Sequence, residues 1–68
     1  MRFFVVQMYQ DGLPDGSPIR PVEATTAAIA IRYITSEDLI EKGPLRLIRA
    51  EVWPTDNPKQ RWRFFLRN

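Results

Sequence analysis

The chain of 68 residues contains neither cysteine nor histidine, and this limits the ways in which so short a chain can stabilise a fold. A domain of this size buries only about 60% of the surface that its unfolded chain exposes. Small domains therefore often rely on disulfides, a structural metal or self-association. Disulfides and zinc sites built from Cys and His are excluded here. The remaining ways to stabilise so small a domain are self-association and a metal site with oxygen ligands only.

The charge of the chain is unevenly distributed. Residues 1–42 carry four basic and six acidic side chains, a net charge of −2, whereas residues 43–68 carry six basic and two acidic ones, a net charge of +4. We therefore expect an anionic partner to meet the C-terminal third. No segment approaches the roughly 20 apolar residues of a membrane span, and the lack of cysteine fits a reducing compartment. We expect a cytoplasmic protein with no membrane partner, and the excess of arginine over lysine suggests a bacterial one.

Three segments have the β-branched and aromatic residues that are typical of strands, namely residues 2–9, 45–53 and 61–67. Residues 11–18 contain two Asp-Gly pairs and two prolines, which predict turns. Residues 19–24 are predicted to return as a further strand. Pro18 and Pro21 restrict this strand to an edge of the sheet, because proline donates no hydrogen bond to a neighbouring strand.

Residues 26–34 predict the main helix, with Thr25 as its N-cap. Only Thr26 and Arg32 are polar in this segment, whereas a helix on the surface of a small sheet usually shows one apolar stripe. We therefore expect the helix to be covered on more than one side and to contribute to a homodimer or to a contact with another protein. The candidate helix interface consists of Ala27, Ala28, Ala30 and Ile31. Residues 37–42 predict a short second helical segment that ends before Gly43.

These elements predict a single α+β domain over residues 1–68. Its sheet is expected to be antiparallel and to have three or four strands, with the main helix packed across one face. The order along the chain is strand, edge strand, helix, strand, strand.

Alternation of side chains assigns each residue of the last two predicted strands to one face of the sheet. The core face is predicted to hold Ile48, Ala50, Val52, Trp62, Phe64 and Leu66. The opposite face is predicted to hold Leu47, Arg49, Glu51, Trp53, Arg61, Arg63, Phe65 and Arg67. The predicted neighbours across the two strands are Val52 with Trp62, Glu51 with Arg63, and Trp53 with Arg61. The second of these pairs would be an ion pair and the third a cation–π contact.

Six residues of the predicted face opposite the core form what we call the candidate interaction face. They are Arg49, Trp53, Arg61, Arg63, Phe65 and Arg67. Three interpretations remain open for it. Arginines on a strand can be solvated charges whose stems cover apolar surface, and Trp, Phe and Arg are also enriched in protein interfaces. Aromatic rings between arginines can instead bind single-stranded nucleic acid, with the rings stacking on bases. Residues 61–66 lack the glycine and the spacing of an RNA-recognition motif.

No residue pattern in the chain indicates catalysis. Histidine and cysteine, the commonest side chains for general-base and nucleophilic chemistry at neutral pH, are both absent. Asp11 and Asp15 do not have the spacing of an EF-hand loop, and no Gly-Lys-Ser/Thr follows Gly12 or Gly16. We therefore predict no catalytic, metal or cofactor site. The predicted function is a non-enzymatic protein-interaction or self-association module, and a weak single-stranded nucleic-acid binder is the alternative.

Overall fold

A computed structural model describes residues 1–67, in which six strands form one antiparallel sheet beside a single short helix. The elements are β1 (Arg2–Gln10), β2 (Leu13–Pro14), β3 (Pro21–Ala24), α1 (Ala27–Arg32), β4 (Leu39–Ile40), a 3₁₀ turn (Leu45–Leu47), β5 (Ile48–Pro54) and β6 (Trp62–Leu66). The strands lie in the order β2-β1-β5-β6-β4. Strand β3 pairs with the first half of β1, on the edge opposite β5, as the two prolines predicted.

The predicted sheet of three or four strands with one main helix is wrong, because the sheet has six strands and α1 has only six residues. One of the additional strands, β2, arises from the first Asp-Gly pair. Asp11 and Gly12 both have positive φ angles, 53° and 80°, and they connect Gln10 directly to its partner Leu13. Positive φ at both central residues is the geometry of a type I′ hairpin turn, which Asp-Gly favours.

The other additional strand, β4, replaces the predicted second helical segment. Leu39 and Ile40 pair with Leu66 and Phe65 of β6, and both are half-buried there. The residues before β4 form a local turn instead of a helical cap, because the Thr35 hydroxyl accepts a hydrogen bond from the backbone N–H of Glu37. Such local side-chain bonds compete with helix formation, and pairing with β6 half-buries the two apolar side chains of β4.

Helix α1 is shorter than predicted, and it is covered on one side only. Its N-cap is Thr26 and not Thr25, since the Thr26 hydroxyl accepts a hydrogen bond of 3.2 Å from the N–H of Ile29. The helix buries Ala27, Ala30 and Ile31 against the sheet. Ile29 is exposed on the opposite side, so the sheet covers one side of the helix within residues 1–67, and the expected contact of the other side with a second copy or another protein stays a prediction.

The core lies between α1 and one face of the sheet, which we call the helix-side face. Its buried residues are Phe4, Val6, Met8, Ala24, Ala27, Ala30, Ile31, Ala50, Val52 and Phe64. Two predicted cross-strand neighbours are confirmed, since Val52 lies opposite Trp62 and Glu51 lies opposite Arg63. Trp62 is half-buried and packs edge-on against the ring of Phe4, with 6.1 Å between the ring centroids.

The alternation of faces fails at the start of β5. The register between β5 and β6 shifts between Ile48 and Ala50, so that Ile48 lies opposite Phe65. An extra residue in one strand moves the residues before it to the other face. Ile48 is buried, but it does not belong to the predicted core on the helix-side face.

Replacement of Phe64 by Ala is expected to lower the free energy of unfolding by roughly 3–5 kcal/mol, because the ring is 2% exposed at the centre of the core. Phe3→Ala is the matched control, since Phe3 lies on β1 with 51% of its surface exposed. Urea denaturation followed by tryptophan fluorescence measures both variants. A Phe64→Ala variant as stable as Phe3→Ala would contradict the assignment of the core face.

Candidate functional site

The carboxylate of Glu51 lies at the centre of the sheet face that points away from α1, which we call the outer face. Glu51 belongs to β5, between Gln7 of β1 and Arg63 of β6, and only 6% of it is exposed. Arg61 Nη1 donates to Glu51 Oε1 at 2.9 Å, and Arg63 Nε donates to Oε2 at 3.2 Å. The Tyr9 hydroxyl donates to Oε1 at 3.3 Å. Glu51 therefore binds side chains from both sides of β5, namely Tyr9 of β1 on one side and Arg61 and Arg63 at β6 on the other.

The ionisation of this cluster follows from its burial and its charges. Burial alone would raise the pKa of Glu51, but the hydrogen bonds and positive charges of Arg61 and Arg63 outweigh it and hold the pKa below its usual value. Burial and the nearby Glu51 carboxylate raise the pKa of Tyr9. At neutral pH the carboxylate is therefore charged and the phenol is neutral, and both groups keep their hydrogen bonds.

Arg61 also stacks on Trp53. The guanidinium carbon lies 4.0 Å from the centre of the indole ring, which confirms the predicted cation–π contact. A third contact fixes the same side chain, because Arg61 Nε donates to the carbonyl oxygen of Pro58 at 2.8 Å. The Pro58 carbonyl oxygen, the Trp53 ring and the Glu51 carboxylate therefore hold Arg61 in one orientation at the surface.

Phe65 does not lie on the open part of the outer face. It is 5% exposed, and the chain at Gly43 covers it. A Cβ atom added at Gly43 would come within 3.1 Å of the Phe65 Cβ, so the absence of a side chain at Gly43 allows this close approach. Phe65 is therefore not available for stacking on a ligand.

Arg49 points to the helix side of the sheet. It lies with Val6 and Met8 around a cavity there, because the register shift at the start of β5 redirects its side chain. Its Nε donates to Glu37 Oε1 at 2.8 Å, and its Nη1 donates to the Tyr9 carbonyl oxygen at 2.6 Å. The first of these bonds contributes most to lowering the pKa of Glu37.

Arg67 lies away from the cluster at the β4 end of the sheet. Its Nε donates to Asp38 Oδ2 at 3.0 Å, and both side chains are largely exposed. A surface ion pair of this kind contributes at most about 1 kcal/mol. Of the six residues of the candidate interaction face, the structure therefore brings together Trp53, Arg61 and Arg63.

The candidate helix interface is used mostly by the core of the protein itself. Ala27, Ala30 and Ile31 are buried under the sheet, and Ala28 is exposed. Ala28 lines a groove between α1 and the edge of β6, together with Ile31, Leu39 and Phe64, and polar side chains that include the carboxylates of Glu37, Asp38 and Glu41 complete its lining.

Two parts of the outer face were missed by the sequence analysis. Tyr9 joins the Glu51 cluster only because β1 pairs with β5, and no local pattern indicates that pairing. A shallow concavity next to the cluster also gathers charges from separate segments. Four basic side chains, from Lys42, Lys59, Arg61 and Arg63, and one acidic side chain, from Glu41, line this surface, which we call the basic concavity.

Residues 1–67 contain no group of three or more acidic side chains placed to hold a metal ion. With six residues, α1 falls far short of a bilayer span, and no other helix in the described chain could cross a membrane. Comparisons with protein-family models, with curated proteins and with solved structures found no match to this chain.

Glu51→Gln is expected to lower the free energy of unfolding at neutral pH by about 1–3 kcal/mol, because charged hydrogen bonds from two arginines are lost. The pKa of Glu51 is lower in the folded protein than its ordinary value of 4.5. Its contribution is therefore complete above that value and is lost as the pH falls through the folded pKa. The difference between wild type and variant should shrink in acid.

Urea denaturation at a series of pH values tests this expectation. Glu23→Gln is the matched control, because Glu23 lies on β3 and is exposed. It should change the stability by no more than about 0.5 kcal/mol. A Glu51→Gln variant with the stability of wild type at every pH would show that the cluster does not stabilise the fold.

Proposed function

We propose that this protein is a non-enzymatic module that binds another protein through the outer face of its sheet. The observation that carries this proposal is the fixed cluster of Trp53, Arg61 and Tyr9 around the buried carboxylate of Glu51. Trp, Tyr and Arg are the residues most enriched at the energetic centres of protein interfaces. The cluster combines all three on one open surface.

The rigidity of the cluster supports binding in preference to simple solvation. An arginine that only covers apolar surface needs no specific orientation, whereas Arg61 is held by the Trp53 ring, the Glu51 carboxylate and the Pro58 carbonyl oxygen. Side chains that are already ordered lose little conformational entropy when a partner binds. The free protein therefore presents the surface in a form ready for contact.

The charge of the surface favours a different protein over a second copy of the chain. A two-fold symmetric dimer brings the same patch of both copies together. Such a contact through the basic concavity would place Lys42, Lys59 and Arg63 near their own counterparts, and like charges repel. A partner that carries acidic side chains fits this surface without that repulsion.

Single-stranded nucleic acid remains the second candidate, because the four basic side chains of the concavity could contact phosphates. Two features of the surface make it less suitable for this ligand. Phe65 is covered by Gly43 and cannot stack on a base. Arg61 and Arg63 already share the Glu51 carboxylate, which reduces the charge that they offer to phosphates.

Arg61→Gln and Trp53→Ala are expected to reduce the binding of a protein partner by at least about tenfold, a loss of 1.4 kcal/mol or more. The tagged protein serves as bait in a cell extract, and mass spectrometry quantifies each captured protein. Circular dichroism establishes that each variant is folded. Arg20→Gln is the matched control, because Arg20 is exposed outside the outer face.

A captured protein that the control retains and that both outer-face variants lose would support the proposal. Capture that is equally strong with all variants would contradict it, as would a wild-type bait that recovers no specific protein. Removing nucleic acid from the extract with nuclease before capture separates the two candidate functions, because capture through phosphates is then lost, whereas high salt would weaken an acidic protein partner as well.

A further inference from the structure

Three separate segments of the chain meet at the basic concavity. The connection between β4 and β5 contributes Lys42, the connection between β5 and β6 contributes Lys59, and β6 itself contributes Arg63. Strand β4 pairs with β6 only at Phe65 and beyond, so the outer edge of β6 is open at residues 62–64 within the described chain. No further strand therefore covers Arg63 on that side.

Most hydrogen-bond donors of these three side chains have no partner within residues 1–67. Arg63 has five N–H groups and uses one of them, because only its Nε donates, to Glu51 Oε2. Its side chain is 56% exposed. The ion pairs in the described part of the chain are all made by arginines, so the exposed Lys42 and Lys59 take part in none of them. Two ammonium groups and the Nη1 and Nη2 groups of one guanidinium are therefore free to bind an anion.

The charges around the concavity do not cancel. Four positive charges, two from lysines and two from Arg61 and Arg63, stand against two negative ones. These are Glu41, which lines the concavity, and Glu51, which binds the two arginines. An excess of two positive charges remains. One carboxylate of a partner would neutralise half of this excess, whereas a phosphorylated side chain carries a charge of about −1.5 to −2 at neutral pH.

Building on the proposed protein-binding function, we propose that the basic concavity binds a phosphorylated side chain of the partner protein. A phosphoryl group offers three acceptor oxygens that point in different directions, whereas the two oxygens of a carboxylate lie in one plane. Free donors from three segments of the chain match three such oxygens. Arg63 can bind two of the oxygens through Nη1 and Nη2, and Lys42 and Lys59 act as point charges beside them.

A nucleic-acid strand fits this surface less well. Its phosphates follow one another along the backbone, so it needs a row of basic side chains that continues beyond one anion. The other arginines without an ion pair in residues 1–67 do not extend the concavity. Arg20 and Arg32 line hollows on the helix side, and Arg46 lines a separate hollow beside Tyr9. The charges therefore suit a single phosphoryl group better than a chain of them.

The first experiment uses peptide libraries of random sequence around one fixed phosphoserine, phosphothreonine or phosphotyrosine. NMR titration of the isotope-labelled protein should show shifts that concentrate at the backbone amides of Lys42, Gly43, Lys59 and Arg63. Libraries with glutamate at the fixed position should bind at least about tenfold more weakly, because glutamate supplies less charge and fewer acceptor oxygens. The same decrease is expected for the unphosphorylated libraries.

A charge-matched pair of double variants tests the site. Replacing Lys42 and Lys59 together by Gln should weaken the phosphorylated libraries by at least about tenfold. Replacing Arg20 and Arg32 together by Gln removes the same charge from exposed positions elsewhere, and it should leave binding within about twofold of wild type. Glu41→Gln should strengthen binding by about twofold or more, since it removes a negative charge that lines the concavity.

Several results would overturn the proposal. They are equal binding of the glutamate libraries, shifts confined to other surfaces, and equal losses in the two double variants. Tighter binding of single-stranded RNA than of every phosphorylated library at the same amides would assign the concavity to nucleic acid. Phosphatase treatment of the cell extract separates this proposal from the proposed function. A partner whose capture needs Trp53 and Arg61 and survives the phosphatase would keep the proposed function and reject the phosphorylated contact, whereas loss of that partner after phosphatase would support it.

Discussion

The organisation of the outer face depends on the buried carboxylate of Glu51. It lies on the central strand β5 and is bound by Tyr9 of β1, by Arg63 of β6 and by Arg61 immediately before β6. A buried charge is costly when it is unpaired, so the folded state retains these partners around it. Because the cost of removing charges from water offsets much of their attraction, we infer that the cluster contributes more to the orientation of the side chains than to net stability.

The two faces of β5 fix its register with both neighbours. On the helix-side face Val52 packs between Val6 and Trp62, and on the outer face Glu51 lies between Gln7 and Arg63. A shift by one residue would bring Glu51 into the apolar core and Val52 onto the charged surface. The same carboxylate that orients Arg61 for contact therefore opposes any other pairing of the central strands.

The sequence predicted the parts of the structure that depend on regular alternation, and it missed those that depend on distant contacts. The pairing of Glu51 with Arg63 and the burial of Phe64 followed from side-chain parity alone. The position of Arg49 did not, because the register shift in β5 leaves no local signal. The burial of Phe65 under Gly43 depends on strand β4, and a two-residue strand is defined by its partner and not by its own composition.

The open edge of β6 raises a general problem of β proteins, since an unpaired edge can add a strand from any chain. Charged side chains beside an edge commonly prevent this, and Lys42, Lys59 and Arg63 lie in that position here. Positive charges, however, repel only chains that carry positive charge at the matching positions. At such positions they disfavour pairing with a second β6, because like charges directly opposite each other are destabilising. The basic side chains that oppose such pairing are also the ones that favour an acidic protein partner in the proposed function.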